Sequence, residues 1–330
     1  MAGGRVMEGL LSELWPLTAS TLRLATPLLL AALGGLFAER AGVVDIGLEG
    51  KMLGAGFAAA AAAAVSGSAW VGLGAGIAFS VALAMLHGVT VITYRGDQVV
   101  SGMAINIVVA GLAPSLANAW FQLAGQTPLL EGAARFAALR LPGAEALAGV
   151  PLIGPFYAEV VSGHSLMTYL GFALVPVSAW LLYRTRFGLA LRAVGEAPEA
   201  VDAAGLSVPR LRYQALVLTG ILCGIAGTAM AIALSAGFIR DMSAGKGYLA
   251  LAAVILGRWR PVPTMLACLL FAFTDAAQGV LQGTHLPGVG VIPVPFIMML
   301  PYVITVVVLA GFVGRIQAPR ASGVPYVKEG

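Results

Sequence analysis

Apolar residues fill this chain in long runs, and short polar breaks separate one run from the next. Most of the runs reach the ~20 residues that a helix needs to cross the hydrocarbon of a bilayer. We therefore predict an all-α polytopic membrane protein with about nine transmembrane helices, within a range of about eight to ten. The predicted spans cover about 17–37, 44–65, 70–93, 99–123, 166–183, 215–238, 247–256, 262–281 and 292–313.

The seventh run, 247–256, is barely half a bilayer thick, because the polar break at 257–261 interrupts it. We interpret it as a broken or tilted helix that residues around 239–246 complete. Such elements are tolerated only where they line a cavity or pack inside protein. If the element is only re-entrant, the number of crossings becomes even and the amino terminus moves to the inside.

Two stretches outside the runs are long enough to matter. Residues 1–16 are expected to lie at the membrane interface, with Trp15 and Pro16 at the entry to the first span. The longest connection, 124–165, carries four prolines and some amphipathic character, so we expect it to fold against the membrane surface.

Within the spans, two glycine pairs at small-xxx-small spacing predict close helix packing: Gly50 with Gly54, and Gly220 with Gly224.

The most polar internal stretch is the loop 184–214, which holds five arginines between two apolar runs. Pro198 suits the first position of a helix, Glu199 complements the positive end of that helix, and Gly205 is a natural stop after it. The short helix would present a small apolar face suited to docking on another protein, formed by Ala200, Val201, Ala203 and Ala204. The plainer alternative is an ordinary charged loop on the cytoplasmic side.

Basic residues give the orientation of the spans. With nine crossings and the loop 184–214 inside, 12 arginines and lysines fall inside and 5 outside, in agreement with the positive-inside rule. The amino terminus would then lie outside. We expect a transmembrane domain over 1–316, with 124–165 external and 184–214 cytoplasmic, and a cytoplasmic tail over 317–330.

The composition agrees with a membrane protein, since 59% of the residues are hydrophobic and 10% are charged, against about 25% charged in soluble domains. The mean hydropathy is +0.92. Two cysteines inside apolar runs provide neither a disulfide framework nor a metal site. The net charge of +4 lies mainly in loops, so it bears on orientation and lipid headgroups and not on nucleic acid.

No catalytic motif is present: the chain lacks a phosphate-binding G-x-x-x-x-G-K-[ST] loop, H-E-x-x-H and G-x-S-x-G. We therefore do not expect it to hydrolyse ATP by itself. Polar residues at membrane depth are expensive and are functional candidates by default, with hydrogen bonding between helices as the alternative. These residues are Asp45, Glu49, Asn106, Asn118, Asp275 and Gln278.

Four segments carry a family resemblance. They read FAERAGVVDIGLEGKMLGAG from Phe37, RGDQVVSGMAIN from Arg95, TRFGLALRAVGEAPEAVDAAGLSV from Thr185 and GYLALAAVILGRWRP from Gly247. The four segments follow one another in the same order as in the permeases of ABC importers for branched-chain amino acids, simple sugars and nucleosides. The chain resembles these permeases over nearly its whole length. It is most similar to the shorter permease of purine-nucleoside importers. Many relatives have Asn where this chain has Asp45, which puts a substrate role of that position in doubt.

The resemblance implies a bacterial plasma membrane protein whose partners are ABC ATPase subunits, a second permease expected to be a different and longer chain, and an extracytoplasmic substrate-binding lipoprotein. ATP and Mg would be bound by the ATPases, and this chain would need no cofactor or metal of its own. The ATPases would clamp the short helix, so the expected coupling residues are Glu196, Pro198, Glu199, Ala200, Ala203, Ala204 and Gly205. The binding protein would dock on 124–165 and near His285.

A nucleoside is neutral but rich in hydrogen-bond donors and acceptors, so its path needs a few polar groups and an aromatic partner amid apolar walls. The expected path residues are Glu49, Asn106, Trp120, Asp275 and Gln278. Simple sugars and branched-chain amino acids remain alternative substrates. An ion-coupled secondary transporter, with a carboxylate as its ion site, and a membrane-embedded enzyme are the more distant alternatives, although neither inverted repeats nor a nucleophile with its base is detected.

Overall fold

The computed structural model describes residues 2–142, 150, 154, 156–281, 285–286, 290–291, 295, 299, 303–304, 306–307 and 317–328. Nearly all of its regular structure is helical, as predicted. The α-helices are α1 (Ala2–Arg40), α2 (Leu48–Ser66), α3 (Ala69–Gly88), α4 (Gln98–Phe121), α5 (Leu166–Arg184), α6 (Arg186–Glu196), α7 (Pro198–Ala203), α8 (Val208–Thr228), α9 (Lys246–Leu256) and α10 (Pro261–Leu281).

Shorter elements extend or connect these helices. π-helical turns continue α3 over Val89–Thr93 and α8 over Ala229–Leu234, and another π-helical turn covers Phe156–Val161. A 3-10 turn spans Gly132–Ala134. Two antiparallel pairs of two-residue strands complete the described structure: β1 (Ala138–Leu139) with β2 (His164–Ser165), and β3 (His285–Leu286) with β4 (Gly290–Val291).

Seven helices of the described residues are long and apolar enough to cross a membrane, and α9 is a shorter apolar helix. They correspond to the first eight predicted spans, so an all-α polytopic fold is confirmed. The ninth predicted span, 292–313, falls almost wholly outside the described residues, and the total of nine stays a prediction. The seven long spans are Leu14–Arg40, Leu48–Ser66, Ala69–Thr93, Gln98–Phe121, Leu166–Arg184, Val208–Leu234 and Pro261–Gly279.

The first helix extends beyond the first predicted span. α1 is continuous from Ala2 to Arg40 and contains Pro16 and Pro27 in its interior, and the interfacial position of residues 1–16 stays a prediction. Proline is tolerated inside membrane helices, where neighbouring groups satisfy the carbonyl that it frees. A proline at an apparent span entry therefore marked no helix boundary here.

Small residues let the central helices approach each other closely. The spans of α1, α2 and α8 are mostly buried, whereas α3, α4 and α5 expose most of theirs. A Cβ added at Gly220 would lie 2.7 Å from the Cα of Val81, and one at Gly224 would lie 2.5 Å from the Cα of Ile77. The predicted close packing of this glycine pair is therefore confirmed, and α3 is its partner.

The helices define two ends of the bundle, which we call the Arg40 end and the Thr127 end. α1 finishes at the Arg40 end, and α4 begins beside it, where the Val44 N–H donates to the side-chain oxygen of Gln98 over 2.6 Å. α4 runs to the opposite end, because Thr127 follows its last turn. Arg40 and Thr127 thus mark opposite ends of the apolar layer.

The stretch 235–259 runs from one end to the other while only its second half is helical. At the Thr127 end, the Phe238 N–H donates to the Thr127 hydroxyl over 2.9 Å, and the Thr127 N–H donates to the Phe238 carbonyl over 3.1 Å. At the Arg40 end, Arg40 Nε donates to the Trp259 carbonyl over 2.9 Å. α9 lies between these points, which agrees with the predicted broken helix.

The polar loop 184–214 and the segment 317–328 both lie at the Arg40 end. α6 contacts the end of α1 so closely that a Cβ at Gly195 would be 2.2 Å from the Arg40 carbonyl oxygen. The segment 317–328 joins them through a hydrogen bond of 2.9 Å from the Ala321 N–H to the Gly195 carbonyl. This end therefore gathers the short helices that follow α5.

Candidate functional site

A cavity of about 290 Å³ lies where the non-helical part of 235–259 meets α2 and α4. It is placed part of the way along the bundle, since Asn106 is about eight residues, or ~12 Å, along α4 from Gln98. Polar backbone, carboxylate, amide and phenol groups share its wall with apolar side chains. The lining residues are Glu49, Gly50, Leu53, Asn106, Ile107, Ala110, Asp241, Ser243, Ala244, Gly245 and Tyr248.

Asn106 connects three parts of the wall. Its Oδ1 accepts a hydrogen bond of 2.8 Å from the Gly50 N–H, and its Nδ2 donates to the Ile46 carbonyl and to the Tyr248 hydroxyl, each over 3.0 Å. A Cβ at Gly50 would lie 2.9 Å from Asn106 Oδ1, so the absent side chain permits this approach. Asn106 is buried, and its amide holds the cavity wall together.

Glu49 holds the start of α9 in place. Its two carboxylate oxygens accept hydrogen bonds from the N–H groups of Gly245 (2.8 Å) and Gly247 (2.6 Å). These groups belong to the helix terminus that has no partners of its own and carries the positive end of the dipole. A Cβ at Gly247 would lie 2.4 Å from the Glu49 backbone nitrogen. The acid thus serves as a helix cap contributed by another helix.

Tyr248 is a cavity residue that the sequence reasoning missed. Its side chain is 42% exposed, while its hydroxyl oxygen is fixed by Asn106. The phenol ring is therefore a positioned aromatic surface on a cavity wall, and its hydroxyl proton is available to an acceptor. A single aromatic residue at the beginning of the short apolar run was the available signal.

The other three predicted path residues lie outside this cavity. Asp275 of α10 forms an ion pair with Lys246, the first residue of α9, with Nζ and Oδ2 separated by 3.8 Å. Trp120 is 60% exposed and packs on Phe57 with ring centroids 5.5 Å apart. Gln278 is half-buried on α10. The structure therefore brings together two of the five predicted path residues, Glu49 and Asn106.

Asp45 has a partner that sequence reasoning did not assign to it. The ammonium of Lys51 lies 2.6 Å from Asp45 Oδ1, and both side chains are fully buried. His87 stands 4.0 Å from the same carboxylate and contacts the Ser101 hydroxyl and the Val44 carbonyl. The Asp45 carboxylate is thus paired with Lys51, and it does not line the cavity.

The short helix α7 begins and ends as predicted. Pro198 occupies its first turn, and Gly205 follows it with a φ of +80°. Six of the seven predicted coupling residues are exposed: Glu196, Glu199, Ala200, Ala203, Ala204 and Gly205. Pro198 and Val201 are buried instead, so the apolar face predicted for docking is smaller than expected. The physical reason is that a helix lying on a membrane domain must bury one side.

Among the residues that the structure describes, no group of three or more His, Cys, Asp or Glu side chains could hold a metal ion. Cys223 and Cys268 are free thiols, and both are buried.

Comparisons with known proteins agree with this architecture. The chain is 35% identical to the guanosine ABC transporter permease protein NupQ of Bacillus subtilis, over 94% of this chain and 95% of the relative. It is also 35% identical to the nucleoside ABC transporter permease protein NupC of Lactococcus lactis (94% and 96%). The putative glucose ABC transporter permease protein TsgC13 of Haloferax volcanii is 34% identical (91% and 92%).

No solved structure was found to match the chain. The family described as "Branched-chain amino acid transport system / permease component" matches residues 17–309, which include the first eight predicted spans and most of the ninth. This extent and the helical architecture place the chain in the plasma membrane as a multi-pass protein. The chain belongs to the branched-chain amino acid transport system / permease component family.

Proposed function

We propose that this chain is the permease subunit of an ATP-binding cassette importer for nucleosides. The cavity beside the broken helix carries the proposal, because it combines a positioned aromatic ring with hydrogen-bonding groups on an otherwise apolar wall. Two relatives that are 35% identical over 94% of the chain are named for guanosine or nucleoside transport.

The groups available to a nucleoside differ from those predicted. Glu49 and Asn106 are committed to hydrogen bonds within the protein, so we assign them to shaping the wall. The ring of Tyr248 would stack on the base, a contact that tolerates different bases, and its hydroxyl proton would meet an acceptor of the ligand. Ser243 lines the same cavity. Asp275, Gln278 and Trp120 are proposed to lie elsewhere along the path.

The short helix α7 is proposed as the coupling element. Its exposed small residues and Glu199 would dock in a groove of an ATPase subunit on the cytoplasmic side, and closure of the ATPases would move α7. ATP and Mg would be held by those subunits, while this chain is non-catalytic. The tight contact of Gly195 with Arg40 supports the proposal, because displacement of the loop 184–214 would reach the end of α1.

The remaining partners follow from the same assignment. A second permease, expected to be a different and longer chain, would complete the translocation path. A substrate-binding lipoprotein would dock on the external loop 124–165 and near His285. Within this chain, residues 1–316 would form the transmembrane domain and 317–330 a cytoplasmic tail.

Uptake by the complete importer tests the substrate class. Proteoliposomes containing the whole transporter and its binding protein should accumulate radiolabelled guanosine when ATP is enclosed, and unlabelled adenosine should compete. Leucine, ribose and glucose serve as matched competitors. Uptake of one of these three without competition by any nucleoside would overturn the nucleoside assignment and leave an importer of another substrate. ATP-independent uptake driven by an ion gradient would overturn the importer itself.

A further inference from the structure

The segment 317–328, which we call the strap, is tied to three transmembrane or loop elements by its backbone. The Ala321 N–H donates to the Gly195 carbonyl of α6 over 2.9 Å, and the Gly323 N–H donates to the Gly42 carbonyl just after α1 over 3.3 Å. The approach to Gly42 is close, because a Cβ there would lie 2.9 Å from the Ala321 carbonyl oxygen. The strap therefore joins α6 to the end of α1.

The third connection is a buried arginine in the first turns of α8. The Arg212 side chain is 1% exposed, and its Nη1 donates to the Val324 carbonyl of the strap over 3.2 Å. Among the described residues, its Nε and Nη2 have no hydrogen-bond partner. The carboxylate of Glu199 on α7 favours the charged form of this guanidinium. A buried cation is costly without such partners, so both the strap and α7 stabilise Arg212 in this position.

Apolar packing and one surface ion pair bring the strap to α7 as well. Tyr326 packs against a buried cluster that joins α6, α7 and α8: Val194, Val201, Val208 and Leu211. Lys328 stands 3.4 Å from Asp202 of α7, with the lysine 71% exposed, so this pair contributes little. The apolar cluster, together with the backbone bonds, is the stronger attachment.

We propose that the strap and Arg212 position the coupling helix α7, so that α7, the end of α1 and the start of α8 move as one unit when the ATPases move α7. This inference rests on the proposed role of α7 in docking the ATPase. Without the strap, α7 would keep its route to α1 through α6, where Gly195 contacts Arg40, but would lose the second connection through Gly42 and Arg212. ATP hydrolysis would then continue with less transport.

A glycine pair provides the first test. Gly42→Ala places a Cβ against the Ala321 carbonyl and Arg212 Nη2, at a φ of +80°. Gly67→Ala introduces the same kind of backbone strain at a φ of +69° with nothing within 4 Å, and is the matched control. In proteoliposomes, Gly42→Ala should lower the number of guanosine molecules moved per ATP severalfold, while Gly67→Ala leaves it unchanged. An equal ratio in both variants overturns the proposal.

Arginine variants provide the second test. Arg212→Met should also lower the ratio of transport to ATP hydrolysis severalfold, and Arg212→Lys should restore most of it, because the lysine keeps the positive charge and a donor for the Val324 carbonyl. Copurification of the partner subunits and the thermal midpoint monitor folding. If Arg212→Met lowers the midpoint but leaves the ratio unchanged, Arg212 is only structural and the inference is wrong.

A chemical link tests whether the strap stays on α7. Cysteines at Asp202 and Lys328, joined by a short bifunctional thiol reagent, should leave guanosine uptake as in the unlinked double variant. Loss of uptake on linking would show that the strap must leave α7, and would overturn the proposal.

Ala203→Glu separates this inference from the proposed function. If Ala203→Glu does not uncouple transport, the coupling role of α7 fails; if it does and Gly42→Ala does not, the strap alone fails.

Discussion

Lys51 and Asp45 form an ion pair of 2.6 Å in which both side chains are completely buried. The lysine belongs to α2, a helix composed mostly of apolar and small residues, and the aspartate precedes that helix. Isolated charges at this depth would be expensive. The pair therefore gives Asp45 a structural role and explains how α2 tolerates a lysine.

Breaking the pair on one side should destabilise the protein strongly. Asp45→Asn leaves a buried ammonium with a weaker partner, and a loss of ~3–5 kcal/mol is typical of such an uncompensated charge. We expect a large drop in the thermal midpoint measured in detergent. The double variant Asp45→Asn with Lys51→Met should recover most of that drop. Asp241→Asn, at an exposed ion pair, is the control, and an equal effect in both single variants would contradict the prediction.

Tyr248 should matter to uptake through its ring more than through its hydroxyl. Tyr248→Phe keeps the aromatic surface, and Asn106 retains its bonds to Gly50 and Ile46, so we expect at most a few-fold loss of guanosine uptake. Tyr248→Ala removes the stacking surface, worth ~1–3 kcal/mol per base, and should lower uptake by about fivefold or more. Trp180→Ala, exposed on α5, is the control. Normal uptake by Tyr248→Ala would exclude the stacking role.

Two changes on α7 should uncouple ATP hydrolysis from transport. Ala203→Glu places a bulky charge on the exposed docking side, and Glu199→Arg places a positive charge at the positive end of the helix. Both should reduce substrate-stimulated ATP hydrolysis and uptake in proteoliposomes while the subunits still copurify. Arg210→Gln, outside α7 and exposed, serves as the control. Wild-type coupling in both α7 variants would remove this helix from the proposed interface.

Labelling of single cysteines should establish the orientation. After Cys223 and Cys268 are replaced, a cysteine at residue 140 should react with an impermeant thiol reagent applied outside the cell. A cysteine at residue 200 should react only after the membrane is opened. This expectation rests on the 12 inside and 5 outside basic residues. The reverse labelling pattern would invert the topology and place α7 on the wrong side for an ATPase.

A side chain at Gly247 should destabilise the protein because it would clash with Glu49, and not because the backbone angle requires glycine. A Cβ there would lie 2.4 Å from the Glu49 backbone nitrogen and 2.5 Å from its Cα, so Gly247→Ala should push α9 away from its cap. We expect a cost of ~1–3 kcal/mol, as for overpacked sites, and slower uptake. Gly74→Ala meets nothing within 4 Å and should be neutral or slightly stabilising. Equal midpoints for the two variants would refute the prediction.

Hydrophobic runs predicted most of the fold, because a helix in lipid needs a nearly uninterrupted apolar sequence. The same rule exposed the broken element around 247–256, whose length was too short for a crossing. It did not show that the first helix begins well before its apolar run, so that Pro16 lies inside a continuous helix. Proline indicates a helix boundary only where neighbouring groups cannot satisfy the freed carbonyl, and those neighbours are not visible in a local pattern.

The candidate site was harder to predict, because polar residues at membrane depth have two uses. Glu49 and Asn106 were recognised as unusual, but only their distant partners, Gly245 and Tyr248, reveal that they stabilise the wall. These contacts join residues 142 to 196 positions apart. Residue type identified the region of the cavity, and tertiary pairing decided which groups remain available to a ligand.

The non-helical stretch before α9 also has a consequence for how the protein is made. Backbone N–H and C=O groups that lack hydrogen-bond partners are not tolerated in lipid. The non-helical residues 235–245 therefore need donors and acceptors from other parts of the chain. Those parts, Glu49 and Thr127, are synthesised earlier. Because the chain is synthesised from its amino terminus, the partners of this stretch are already made when the stretch itself is synthesised.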